Sequence, residues 1–343
     1  MAPEMTADPI ARTPAWLPHR YDAAGDRVHF VEVDRARHRA TTFLTDAELP
    51  GTDRPRVLDR AAAVAGAGPQ APLHFLFHSA FCCSTLLVRA LDRDGVAMGL
   101  SEPQILNDIV GWRHRTPVEG ARVAEVLDHA MTLLARPWSP GEAVIVKPSN
   151  LINSLAPAML GLRPDSSALL LHAPLEAFLG SIARKGLWGR LWVRELFVKL
   201  RREGALEFGL SAEDLFQLTD IQVAALCWLG QHRQFASLAA RYPARVRTLD
   251  SEVLMARPAE ALAALAAQFR LPLDAAAIAD TLQGPAFTRH SKSGQRFDGQ
   301  ARIAEREAGL KAHADEVEKV AAWARTLADT HSISLDLPNP LLG

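Results

Sequence analysis

Four short, largely apolar runs constrain this chain more than any other feature: LHFLFH at 73–78, AVIVK at 143–147, ALLLH at 168–172 and VRTL at 246–249. Runs of this length, apolar at successive positions, suit strands covered on both faces, which is how strands of a parallel sheet are buried. Helical patterns fill the gaps between them. STLLVRALDRDG at 84–95 places Leu86, Leu87, Ala90 and Leu91 on one face and stops at Gly95. The stretch from about 187 to 241, rich in Arg, Trp and Leu and without proline until Pro243, predicts helices inserted between two strands. AEALAALAAQF at 259–269 and a long segment at 302–328 predict two more. Strands alternating with helices specify an α/β fold around a central parallel sheet.

The first 70 residues differ. RVHFVEV at 27–33 and ATTFL at 40–44 are both β-prone and predict a hairpin. AAAVAGAGPQAP at 61–72 follows as a linker. The expected organisation is an N-terminal extension at 1–70, an α/β domain at 71–300 with its helical insertion, and a C-terminal helix and tail at 301–343. With 48% apolar and 22% charged residues in 343, there is ample material for a core. A formal charge of -1 offers no general field for nucleic acid, so an anion site must be local. The longest apolar stretches fall short of a bilayer span. The N-terminus has acids and no apolar core region, unlike a secretory signal, and three cysteines make no disulfide framework. The expected location is the reducing cytoplasm.

The chemistry concentrates after the first buried run, where His78-Ser79-Ala80-Phe81-Cys82-Cys83-Ser84-Thr85 leads into a helix. A strand, a tight loop and a helix opening on Ser-Thr make an anion cradle, because free N–H groups at a helix start point outward and the hydroxyls add donors. The same residues also serve as a simple N-cap. A Walker A loop is absent: its glycine positions hold His78 and Cys83, and its lysine position holds Ser84. Adjacent Cys82 and Cys83 cannot readily chelate one zinc, and no metal is expected.

Taken together, the segments resemble the sulfotransferase family, nearest its tyrosylprotein and bacterial branches. Family loops run PRSGSTLL or PKSGTTWL, against AFCCSTLL at 80–87. Ser101-Glu102-Pro103, VIVKPSN with Lys147-Pro148, LLLHAPLEAFLGS at 169–181, LDSEVLMARP at 249–258 and Arg289 to Gly294 follow in the family's order. The resemblance covers about 73–295 and implies a P-loop NTPase-like three-layer fold. It also implies transfer of a sulfuryl group from 3′-phosphoadenosine 5′-phosphosulfate (PAPS), without metal, to a hydroxyl or amine of an unidentified small molecule or peptide. In it Glu102 is the general base and Lys147 the charge stabiliser. The donor falls to Ser79, Cys82, Cys83, Ser84, Thr85, His172, Ser181, Arg184, Arg289, Lys292, Ser293 and Gly294.

The chain departs from that pattern at three places. Phe81 stands where the family has a loop cation, Cys83 where it has glycine, and His172 where an arginine binds the 3′-phosphate; Ser181, Arg184 and Lys185 are the substitutes for the last. Two other functions fit the same segments, a non-catalytic nucleotide or anion sensor and an ATP-dependent kinase. The kinase lacks a loop lysine and a magnesium-binding acid. The cluster Trp188, Arg190, Trp192, Arg194 reads as a packed amphipathic helix, with an acceptor lid as the functional alternative.

Overall fold

The computed structural model describes residues 9–49, 51–288 and 299–343, the last without the side chains of 299–312. Among them are two sheets. β1 (Trp16–Asp22), β2 (Arg27–Glu32) and β3 (Arg56–Asp59) run antiparallel in that order. β4 (Leu73–His78), β5 (Ala97–Ser101), β6 (Ala143–Lys147), β7 (Ala168–His172) and β8 (Val246–Asp250) form a parallel sheet in the order β5-β6-β4-β7-β8, flanked by helices. The four apolar runs are thus β4, β6, β7 and β8. Every residue of β4 and β6 is buried, including three ionisable ones, His74, His78 and Lys147. His74 is accommodated because its Nδ1 accepts from Ser167 N at 3.2 Å and its ring stacks on Phe269.

β5 has no clear sequence signal, being short and interrupted by Gly99. The glycine has a packing reason. A Cβ there would lie 2.9 Å from the Val88 carbonyl oxygen, so the Ser84–Leu91 helix approaches the strand more closely than a side chain allows. That helix ends earlier than the sequence suggests, and Gly95 instead forms a turn at φ 72°.

The N-terminal hairpin is present, but its arms are β1 and β2 rather than 27–33 with 40–44. Pro18 and a register shift between Pro18 and Arg20 obscure β1 in the sequence. Residues Arg35–Ala40 form a helical turn capped by Asp34, whose carboxylate accepts from Arg37 N at 2.7 Å. Leu44 N then donates to Ser101 O at 2.8 Å.

The chain divides into two compact units. The first comprises Met1–Leu76, Thr85–Ser167 and Gln268–Leu273. Its N-terminal segment is gathered by Arg136, 2% exposed, which donates to the carbonyls of Leu133, Ile10, Ala11, Thr13 and Trp16. The hairpin is fixed by Arg60, which donates to Asp26 at 2.7 Å and to Glu125 at 3.0 Å, with Arg122 bridging the same two carboxylates.

The second unit comprises Phe77–Ser84, Ala168–Ala267 and Asp274–Gly343. The expected helical insertion is Gly186–Arg202, Ala212–Gln217 and Asp220–Arg241. Reciprocal capping boxes, Ser211 with Asp214 and Thr219 with Gln222, start the second and third of these. The third is buried almost all round from Ile221 to His232, as its apolar composition requires. The C-terminal helix Gly299–Thr330 breaks at His313. Beyond it the tail lies beside β8: Thr248 N donates to Asn339 O at 2.9 Å, and Leu341 N donates to Thr248 O at 2.8 Å.

Candidate functional site

In the parallel sheet β4 leads away to β5 on one side, and β7 leads to β8 on the other. Ligands of α/β sheets bind outside the carboxyl ends of strands at such a reversal. The segments leaving β4 and β7 meet there in the second unit. Ser79 N donates to Leu171 O at 3.1 Å, and Ala173 N donates to Ser79 Oγ at 3.3 Å. Trp228 Nε1 secures the Ala173 carbonyl at 2.9 Å. Ser79 is therefore an anchor of the loop, and its hydroxyl is already engaged by the backbone.

The loop itself is conformationally costly. Ala80, Phe81 and Cys83 sit at φ 70°, 52° and 64°, the left-handed region that favours glycine. Each such residue costs on the order of 1–3 kcal/mol and persists where surrounding structure enforces it. Part of that enforcement is visible: Ala80 N donates to His78 Nδ1 at 3.1 Å. Backbone turned through the left-handed region presents successive N–H groups on one concave side, a form of anion nest. The Ser84–Leu91 helix begins immediately after, with Ser84 and Thr85 both buried in its first turn. Cys82 is buried and Cys83 half-buried.

Phe81 is packed rather than free. Its ring meets Phe178 and Trp192 edge-on at 5.9 and 5.2 Å. The Lys185 ammonium lies 5.7 Å from the Phe81 centroid and 5.0 Å from that of Trp188. A cation thus reaches the loop from the next helix turn, held over aromatic faces. The sequence hinted at Lys185 only as a substitute for the distant phosphate.

At the end of β7, His172 has its Nδ1 buried without a hydrogen-bond partner. Burial lowers its pKa to about 4, leaving a neutral imidazole. It faces His232 edge-on at 5.4 Å; that ring stacks on Trp228 and donates from Nε2 to Leu335 O at 2.8 Å. β7 thus ends in an uncharged aromatic cluster. Ser181 donates its hydroxyl to Ala177 O at 2.7 Å, while Arg184 is exposed. Arg289, Lys292, Ser293 and Gly294 lie outside the described residues.

The other two expected residues come together in the first unit. Lys147, with no exposed surface, ends β6, and its ammonium donates to Glu102 Oε1 at 2.5 Å. The parallel register that pairs Ser101 with Lys147 sets this up. Glu102 N then donates to Lys147 O at 2.6 Å, and Glu102 adopts φ 52°, again a left-handed non-glycine residue. Phe43 lies under the ammonium at 5.3 Å. Nearby in the chain, Ser149 donates to Asn107 Oδ1 at 2.6 Å. Nothing in the sequence pointed to Phe43 or Asn107, because both reach the site from segments whose placement depends on the fold. Among the described residues no cluster of three His, Cys, Asp or Glu side chains could hold a metal.

No protein-family model matches the chain, and no curated protein does. Solved structures do. A sulfotransferase domain from the curacin biosynthetic pathway aligns at TM-score 0.43 and 14% identity, covering 79% of this chain and 99% of its own. A sulfotransferase domain from the Synechococcus PCC 7002 olefin synthase aligns at 0.41 and 15%, covering 79% and 98%. A Mycobacterium tuberculosis H37Rv sulfotransferase aligns at 0.40 and 14%, covering 72% and 79%.

Proposed function

We propose that the protein transfers a sulfuryl group from PAPS to a hydroxyl or amine acceptor. The observation that carries this is the loop between β4 and the Ser84–Leu91 helix: three non-glycine residues held left-handed, ahead of a helix start furnished with Ser84 and Thr85. Such strain suits a site whose donors must be in place before an anion arrives. The loop backbone from Phe81 to Cys83 and the hydroxyls of Ser84 and Thr85 would hold the 5′ end of the donor, with Lys185 supplying the cation that Phe81 does not. Bound there, PAPS supplies an activated sulfuryl group.

At the far end the fit is partial. His172 is neutral and Ser181 is turned to its own helix, so Arg184 is the described residue best suited to a phosphate, its guanidinium fork matching phosphate oxygens. In the first unit Glu102 would accept the acceptor's proton. Lys147 is buried against that carboxylate and would orient it rather than touch the transferred group.

Calorimetry with adenosine 3′,5′-bisphosphate, PAPS and Mg-ATP tests the assignment. Binding of the bisphosphate, weakened by about 1–3 kcal/mol in the Ser84→Ala/Thr85→Ala variant, is the expected result. Mg-dependent ATP binding in its place would make the chain a kinase. Bisphosphate binding with neither transfer to any acceptor nor hydrolysis of PAPS would leave the non-catalytic sensor.

A further inference from the structure

The Gly186–Arg202 helix has two apolar faces, and the loop chemistry touches them only at Trp188, whose ring lies under the Lys185 ammonium. One, formed by Gly189, Val193, Leu196 and Leu200, is buried in the second unit. The other is in solvent: Leu187 is 72% exposed, Trp188 58%, Leu191 56% and Val198 49%. At about 100° per residue, Leu187, Leu191 and Val198 fall close to one line, with Trp188 roughly 60° further round the helix. Exposed charges border that line, Arg201 and the Asp220-paired Arg194 on one side, and Arg202 and Lys199 on the other with Glu195, the one acid on this helix, between them. Phe216, on the Ala212–Gln217 helix, is likewise 89% exposed. Arg194 holds that neighbouring segment in place through the Leu218 carbonyl and Asp220.

We propose that this face seats the protein on a bilayer surface rich in anionic lipid. A narrow apolar stripe bordered on both sides by long cationic side chains matches the depth profile of such a surface: Leu, Val and Trp enter the acyl boundary while Lys and Arg stay among the phosphates. Trp188 at the stripe's margin suits the headgroup level, where indoles concentrate. A partner protein would need acidic residues spaced along both borders of one groove. An anionic bilayer presents that charge everywhere. The helix lies in the interface and does not cross it, since its buried face remains packed within its own unit.

Flotation with vesicles of phosphatidylcholine alone, and of phosphatidylcholine mixed with phosphatidylglycerol, tests this independently of the donor site. The full chain is expected to float with the mixed vesicles at low salt and to be released by high salt. Lys199→Glu/Arg202→Glu should lower partitioning by at least ~25-fold, roughly fivefold for each cation lost. Leu187→Ser/Leu191→Ser/Val198→Ser should abolish it, and both variants should keep the wild-type unfolding midpoint because the changed side chains lie outside the core. Absence of enrichment on anionic vesicles overturns the proposal, as does equal binding to neutral ones. A concentration-dependent dimer that the triple serine variant abolishes would also overturn it, because the occupant would then be a second copy of the chain.

Discussion

A lysine with no exposed surface at the end of a buried strand is tolerable because a carboxylate and an aromatic face meet its charge. Removing one partner of such a pair leaves the other's charge uncompensated. Lys147→Ala should therefore lower unfolding free energy by about 3–5 kcal/mol. Glu102→Gln keeps an acceptor oxygen for the ammonium, so it should cost less stability while depressing transfer by about 10² to 10⁴. Urea unfolding of both variants, and of Lys147→Met/Glu102→Gln together, checks the coupling, since the double change should destabilise by less than the sum of the two. Equal and additive losses would mean that the two residues act separately.

Elements show best why parts of this fold are legible in sequence and others are not. β4, β6 and β7 announce themselves because burial on both faces keeps them almost continuously apolar, with His74, His78, Lys147 and His172 the exceptions, and the helices of 186–241 show in a long stretch rich in Leu and Trp without proline. β1, β3 and β5 do not. Each is short or broken by proline or glycine, and each is held by partners distant in sequence, as Arg136 holds the segment before β1. The loop from Ser79 to Cys83 was found as a place but not as a conformation, because nothing in Ala-Phe-Cys-Cys predicts three left-handed residues. His172 was located, yet its neutrality depends on His232 and Trp228, which lie sixty residues or so further along the chain. Two predictions belong at this scale. Arg136→Met strips donors from five backbone carbonyls, and amide exchange across Pro9–Trp16 should accelerate with a loss of more than ~3 kcal/mol, since each buried acceptor left unsatisfied costs about 1–3 kcal/mol. Deleting 337–343 uncovers the β8 edge that Asn339 and Leu341 now pair, and light scattering should then detect association of a kind that unpaired edges promote.

For the molecule as a whole, buried imidazoles set the response to acid. His38 and His74 in the first unit, and His172 and His232 in the second, all have pKa values lowered by burial to about 4. A histidine lowered from 6.5 takes up its proton more readily unfolded than folded. Stability is thus undiminished above pH 6.5 and falls as pH drops toward 4, by up to about 3 kcal/mol for a single imidazole. Asp26, which Arg60 holds below the usual carboxylate range, contributes its loss only below that window. Urea midpoints measured from pH 7 to pH 4 should decline, and His74→Phe should flatten the decline; a pH-independent midpoint would contradict the burial of these rings. The strained loop bears on the molecule's tolerance to sequence change. In a library randomised at 80, 81 and 83 and selected for soluble expression alone, glycine should rise at all three positions, since it adopts the same backbone without penalty. Selected for donor capture, the same library should retain stiffer residues, because a glycine loop samples many shapes besides the cradle. The gap between the two enrichment profiles would measure how much of this loop is maintained for binding and how much for folding.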